Sequence, residues 1–132
     1  MEKLHPDGRQ VIERWDRVFD GTSAEPRRQL IVALMDNPPN KSVALPESAI
    51  NPNVSQDMER LRTQLIHSHL PKLEQLGYIE WDTAPFAATR GQRFDEIAVI
   101  FEALHSFAAD IPDPLVVGCR RLETEREENH GD

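Results

Sequence analysis

Residues Thr63–Asp82 read TQLIHSHLPKLEQLGYIEWD. With Met58 and Leu61 just upstream, Leu65, Ile66, Leu70, Leu73 and Leu76 recur at helical spacing on one side. Gly77 stands where a helix hands over to a left-handed residue, which glycine adopts because it has no Cβ. Tyr78-Ile79-Glu80-Trp81-Asp82 then alternates apolar and polar, the period of a strand. The stretch predicts a long helix that ends at a glycine and runs straight into a strand. Pro71 interrupts the pattern, so the helix either kinks there or breaks near His69. Ser55 reads as the N-cap, with an incomplete capping box because Met58 rather than Glu follows three residues on.

Upstream, Val11, Ile12, Trp15, Val18 and Phe19 form one helical stripe, and Asp20-Gly21-Thr22-Ser23 breaks it. Ser23 reads as the N-cap of a second helix, with Pro26 in its first turn. In that helix Leu30, Ile31, Leu34 and Met35 face inward, Arg27 and Arg28 face out, and Asn37-Pro38-Pro39-Asn40 stops it. Lys41–Leu45 is a short extended candidate and Pro46–Ile50 a short helix. Downstream, Phe86–Thr89 is a second strand, Arg90-Gly91 a turn, and Phe94, Ile97, Ala98, Phe101, Leu104, Phe107 and Ala108 a last amphipathic helix. Pro112 and Pro114 end it, and the charged run from Arg120 to Asp132 reads as disordered.

The predicted order is helix, helix, short strand, short helix, long helix, two strands, helix. A long helix followed directly by a β-hairpin is the winged helix-turn-helix arrangement. The fold class expected is therefore mainly α (α+β), with flanking N- and C-terminal dimerisation helices. Residues 1–22 would form the N-terminal helix, 23–110 the winged-helix domain, and 111–132 an acidic, disordered tail.

Composition bounds the function. At 132 residues the chain has the size of one domain, and its 39% apolar content allows one modest core. No stretch approaches the roughly 18 apolar residues of a membrane span, and MEKLHPDGRQ has no apolar run of the signal-peptide kind. A single cysteine, Cys119, excludes an internal disulfide framework. A cytoplasmic protein with no membrane partner is expected. Fifteen Lys and Arg against 23 Asp and Glu give a net charge of −8, which argues against non-specific binding to a polyanion. The balance is local, however: from Asp57 to Gln75 three acids meet three bases, whereas from Ile97 to Asp113 three acids meet none. G-x-S-x-G, P-loop and H-E-x-x-H motifs are all missing from the sequence, so no enzyme activity and no cofactor are expected.

The Thr63–Asp82 block resembles the recognition helix and first wing strand of ArsR-like winged-helix regulators. It is most similar to the small winged-helix proteins of haloarchaea, in which an HLPKL run leads through glycine to a strand ending in Asp. Glu25-Pro26-Arg27-Arg28-Gln29-Leu30-Ile31 resembles the opening of their first core helix. The two blocks anchor a likeness over roughly residues 24–108. The resemblance implies a homodimer that binds double-stranded DNA and regulates transcription, in an archaeal, halophilic setting where surface acids serve solubility. The chain departs from the pattern in the very short helix, little beyond Pro46–Ile50, that precedes the recognition helix.

Candidate site residues follow. Gln64, Ser68 and Lys72 recur every four residues and are assigned one face opposite the leucine stripe. Gln reads adenine, and Lys reads guanine or meets phosphate. Arg60 or Arg62 adds a basic contact on the same helix, and Arg90 and Arg93 bracket the turn after the second wing strand, where arginines reach phosphate or the minor groove. All of these residue types also occur on helices and hairpins that merely face water. His67 and His69 are two residues apart on a helix and diverge, so they share no metal. Either one of them, His67 in the first instance, touches DNA, or His69 packs near Leu65 and Leu73 while His67 is solvated. Trp15, Phe19, Phe101 and Leu104 are assigned to a dimer interface, the alternative being packing of the two terminal helices within one chain. A winged-helix module that binds a protein and no DNA is the competing function.

Overall fold

The computed structural model describes residues 8–116 and 120–129. The chain runs α1 (Gly8–Gly21), α2 (Glu25–Met35), β1 (Val43–Ala44), a 3-10 turn (Glu47–Ala49), α3 (Met58–Gln64), a π-helical turn (Leu65–His69), α4 (Leu70–Gln75), β2 (Ile79–Thr83) and β3 (Phe86–Arg90). It continues through α5 (Phe94–Ser106), a 3-10 turn (Ala108–Asp110), α6 (Asp113–Val116) and α7 (Arg120–Asn129). The fold is mainly helical with one small three-stranded antiparallel sheet, the α+β class expected. None of the described helices is long and apolar enough to cross a membrane.

The sheet has the order β1-β3-β2. The hairpin pairs Ile79 with Arg90 at its base and Thr83 with Phe86 at its tip, and β1 joins the far edge through Val43–Ala88 and Ala44–Ala87. Helices α2, α3, α4 and α5 close over it. Their buried side chains are Leu30, Ile31 and Leu34, Leu61, Leu65, Leu70 and Leu73, and Phe94, Ile97 and Phe101, which meet Ile79 and Ala88 of the sheet, and Tyr78 just before it, in one cluster. Truncating one of these leucines to alanine costs roughly 2–5 kcal/mol.

Helices α3 and α4 form one continuous rod because the π turn absorbs Pro71. In the π turn the Leu70 N–H reaches back five residues to the Leu65 carbonyl, the wider loop in which a proline fits without breaking the axis. The five-residue step from Leu65 to Leu70 in the buried stripe is the mark of that extra residue. The rod starts at Asp57, not Ser55: the Asp57 carboxylate accepts from the N–H groups of Glu59 and Arg60. It ends at Gly77, with φ of +90°. Tyr78 N donates to Leu73 O and Gly77 N to Glu74 O, a Schellman closure with both Tyr78 and Leu73 buried.

The hairpin is stitched to this helix end. Gly91 N donates to Tyr78 O and Arg93 N to Gly77 O, each at 2.8 Å. A Cβ on Gly91 would lie 2.6 Å from the Gly77 carbonyl oxygen and 2.7 Å from the Ile79 nitrogen, so only glycine fits.

Four further expectations change. Ser23 does not cap α2; the cap position is Ala24, and Ser23 Oγ donates instead to Asp20 O. Arg27 faces inward, 9% exposed, because it shares the i, i+3, i+4, i+7 stripe of Leu30, Ile31 and Leu34. Phe101 is 5% exposed, part of the chain's own core and not of an outer face. Within the tail expected to be disordered, Asp113–Val116 form α6 and Arg120–Asn129 form α7, the latter anchored by Arg126, which donates to Ala108 O, Ile111 O and Asp113 Oδ1. The remainder of the tail from residue 130, and residues 117–119 with Cys119, lie outside the described residues.

Candidate nucleic-acid interface

The solvent side of the rod carries Arg60, Gln64, His67 and Ser68, all exposed. Arg62, the alternative to Arg60 as a basic contact, is also exposed and lies 4.4 Å over the Phe86 ring of the hairpin. The hairpin therefore sits beside the α3 half of the rod, with a guanidinium at the seam. At the other half, Trp81 Nε1 donates to Glu74 Oε1 at 3.0 Å, fixing β2 to α4.

The expected face of Gln64, Ser68 and Lys72 is not a single face. The extra residue of the π turn rotates everything after it, by about one residue's turn on the helix. Lys72 is carried toward α1, where its Nζ lies 3.0 Å from Asp20 Oδ2. Arg90 is likewise engaged within the chain. Its Nη2 donates to Leu34 O and Asn37 O, each at 2.9 Å, and its guanidinium lies 4.7 Å over the Phe94 ring. It satisfies carbonyls at the C-terminus of α2, where a cation also meets the negative end of the helix dipole. Arg93 is exposed, its stem packed on Gly77. Arg90 and Arg93 thus stand at the base of the hairpin, at the opposite end from its Ala84-Pro85 tip.

Behind the rod lies a polar cluster. Arg27 Nε donates to His69 Nδ1 at 3.1 Å, and its Nη1 donates to Asp20 O at 2.7 Å and Ser23 Oγ at 3.0 Å. Asp20 Oδ1 is 3.6 Å from the same Nη1. An acceptor at Nδ1 requires His69 neutral, with its proton on Nε2. Burial, and then the Arg27 charge, hold its pKa below the ordinary 6.5. The signal for this cluster was in the sequence: Arg27 sits on the buried stripe of α2. Tyr78, fully buried below, is pushed up to about 12, by burial first and then by Glu96.

Of the expected interface residues, Trp15, Phe19 and Leu104 are exposed, and Trp15 and Phe19 stack at 5.9 Å. Among the described residues no group of three His, Cys, Asp or Glu side chains is placed to hold a metal.

A family model described as a domain of unknown function, DUF7344, matches residues 19–85, just over half of the chain. The chain belongs to this family. The DUF7344 span runs from the last turn of α1 to the tip of the hairpin, so it includes the rod, β1, β2 and the whole Asp20–Arg27–His69–Lys72 cluster. It leaves out most of α1, β3 and everything from α5 onward. No curated protein and no solved structure matches the chain.

Proposed function

We propose that this DUF7344 protein is a winged-helix transcription regulator that acts in the cytoplasm as a homodimer on double-stranded DNA. The observation that carries the reading is the rod with its stitched hairpin, in strand order β1-β3-β2, presenting Arg60, Gln64, His67 and Ser68 to solvent. A helix of this kind enters the major groove while the hairpin lies along the backbone. In this reading Arg60, Arg62 and Arg93 meet phosphate, and Gln64, His67 and Ser68 meet base edges. Lys72, in its half-exposed ion pair with Asp20, and Arg90, bound to carbonyls at the end of α2, position these elements rather than touch DNA.

The competing reading, a winged-helix module for a protein partner, is favoured by the same two engagements. They leave Arg60, Arg62 and Arg93 as the exposed arginines of the rod and the hairpin base, on a molecule of net charge −8. Fluorescence anisotropy on DNA selected from a random pool separates the two, across a series from about a tenth molar to above one molar salt. Specific binding with a shallow salt slope is expected, because few phosphates are neutralised and nearby acids gather cations on binding. No binding to any selected sequence removes the DNA reading in favour of the interaction module.

A further inference from the structure

Among the described residues, two apolar surfaces are left exposed on a single copy. One is convex. Val11, Ile12, Trp15 and Phe19 lie along one side of α1, exposed by 45, 60, 46 and 63%, and the stacked Trp15 and Phe19 rings make them a ridge. The other is concave: a groove of about 990 Å3 between α2 and the C-terminal elements. Val32 and Phe101 line its inner part, and Leu104, Phe107 and Leu115, 53, 64 and 66% exposed, line its outer part. Arg126 fixes the outer wall by binding Ala108 O, Ile111 O and Asp113.

We propose that α1 of a second copy occupies this groove, and that the exchange is reciprocal, so that two helices close a two-fold dimer. The proposal rests on the homodimer reading above and specifies its geometry. The area favours it. The exposed parts of those seven side chains come to on the order of 800 Å2 per copy, and a reciprocal exchange covers roughly 1,600 Å2, the size of a standard stable interface. Chemistry favours a helix over a polar small molecule. The Glu25 carboxylate on the groove wall already accepts from the Asn51 and Gln29 amides, and Arg28 already donates to Thr22 O. The remaining lining is largely aliphatic and aromatic, which suits the apolar face of an amphipathic helix. Reciprocity also matters: ridge and groove are different patches, so a one-way exchange would propagate into filaments, whereas a two-fold closes.

The test places a photo-crosslinking benzoylphenylalanine at Phe19, which keeps an aromatic on the ridge, and mixes isotope-labelled with unlabelled copies. After irradiation, mass spectrometry should find labelled–unlabelled adducts between α1 and peptides of residues 101–115. Phe19→Glu should raise the dimer dissociation constant roughly a hundredfold, measured by light scattering. Adducts from α1 to α1 would overturn the exchange while leaving a homodimer. A monomer at micromolar concentration with no labelled–unlabelled adducts would overturn both the exchange and the homodimer.

Discussion

Six basic side chains on and around the rod and hairpin fall into two sets that differ in surroundings, not in kind. Arg27, Lys72 and Arg90 are held by partners inside the chain: His69 and Asp20, Asp20 again, and the carbonyls that end α2. Arg60, Arg93 and Arg62 stand on or beside the rod, open to solvent. Every one of them is a Lys or Arg on or near a helix, and composition cannot sort them. What sorts them is azimuth: one turn of α2 aims Arg27 at the core, and one extra residue in the rod swings Lys72 to α1. The first set should govern stability and the second binding.

The contrast breaks first, if it breaks, at Arg27. Arg27→Ala empties a buried site and orphans the His69 acceptor, so a loss of about 2–4 kcal/mol is expected in chemical denaturation. A change under about 0.5 kcal/mol would mean that Arg27 belongs with the surface set. Arg90→Ala comes next. It removes two charge-assisted bonds to the end of α2, with about 1–3 kcal/mol expected from thermal melts.

His69 sharpens the comparison through pH. Its folded pKa is lowered below 6.5, so the unfolded chain takes up the proton first. The stability contributed by neutral His69 is therefore fully present above about pH 6.5 and declines as pH falls from there toward the lower folded pKa. In the His69→Gln variant, whose carbonyl still accepts from Arg27, this component should vanish, so that the wild-type and variant stability–pH curves diverge below about pH 6.5. Equal slopes in both proteins would show that His69 does not titrate with unfolding. The smallest effect on stability is expected at Arg60 and Gln64. Arg60→Ala and Gln64→Ala should each change stability by under about 0.5 kcal/mol. On DNA they should part: Arg60→Ala weakens binding to all sequences and reduces the salt slope by about one, while Gln64→Ala alters base preference.

Much of the fold was legible. Gly77, the alternation of Tyr78–Asp82 and the proline stop after α2 are local signals, and local chemistry decides them. Azimuth was less legible. A wheel drawn at a constant angle put Lys72 with Gln64 and Ser68, although the five-residue step from Leu65 to Leu70 already recorded the slip. At Arg27 charge points outward and position on the stripe points inward, and position wins because its guanidinium finds buried partners. Counting apolar residues located too much of them for a small core, but could not divide core from surface: Phe101 went in, while Trp15, Phe19 and Leu104 stayed out. The α7 helix was missed because composition counts charges and does not show that one of them, Arg126, meets three acceptors.

The contact of Gly91 with Gly77 makes the rod and hairpin behave like a bracket welded at its corner. Backbone lies on backbone there, with bonds on both sides of the joint, and no side chain can rotate to give slack. A bracket of this kind does not adapt its reach. In the proposed dimer, the distance between two recognition helices would then be set by how the copies dock and not by bending at the wing. The two half-sites of an operator would have to arrive in phase. Inserting about 5 bp, half a turn of the duplex, between them should abolish dimeric binding, while restoring a full turn of about 10 bp should not rescue it. Binding that tolerates either insertion, in a gel-shift series of spacer lengths, would place the slack somewhere other than this corner.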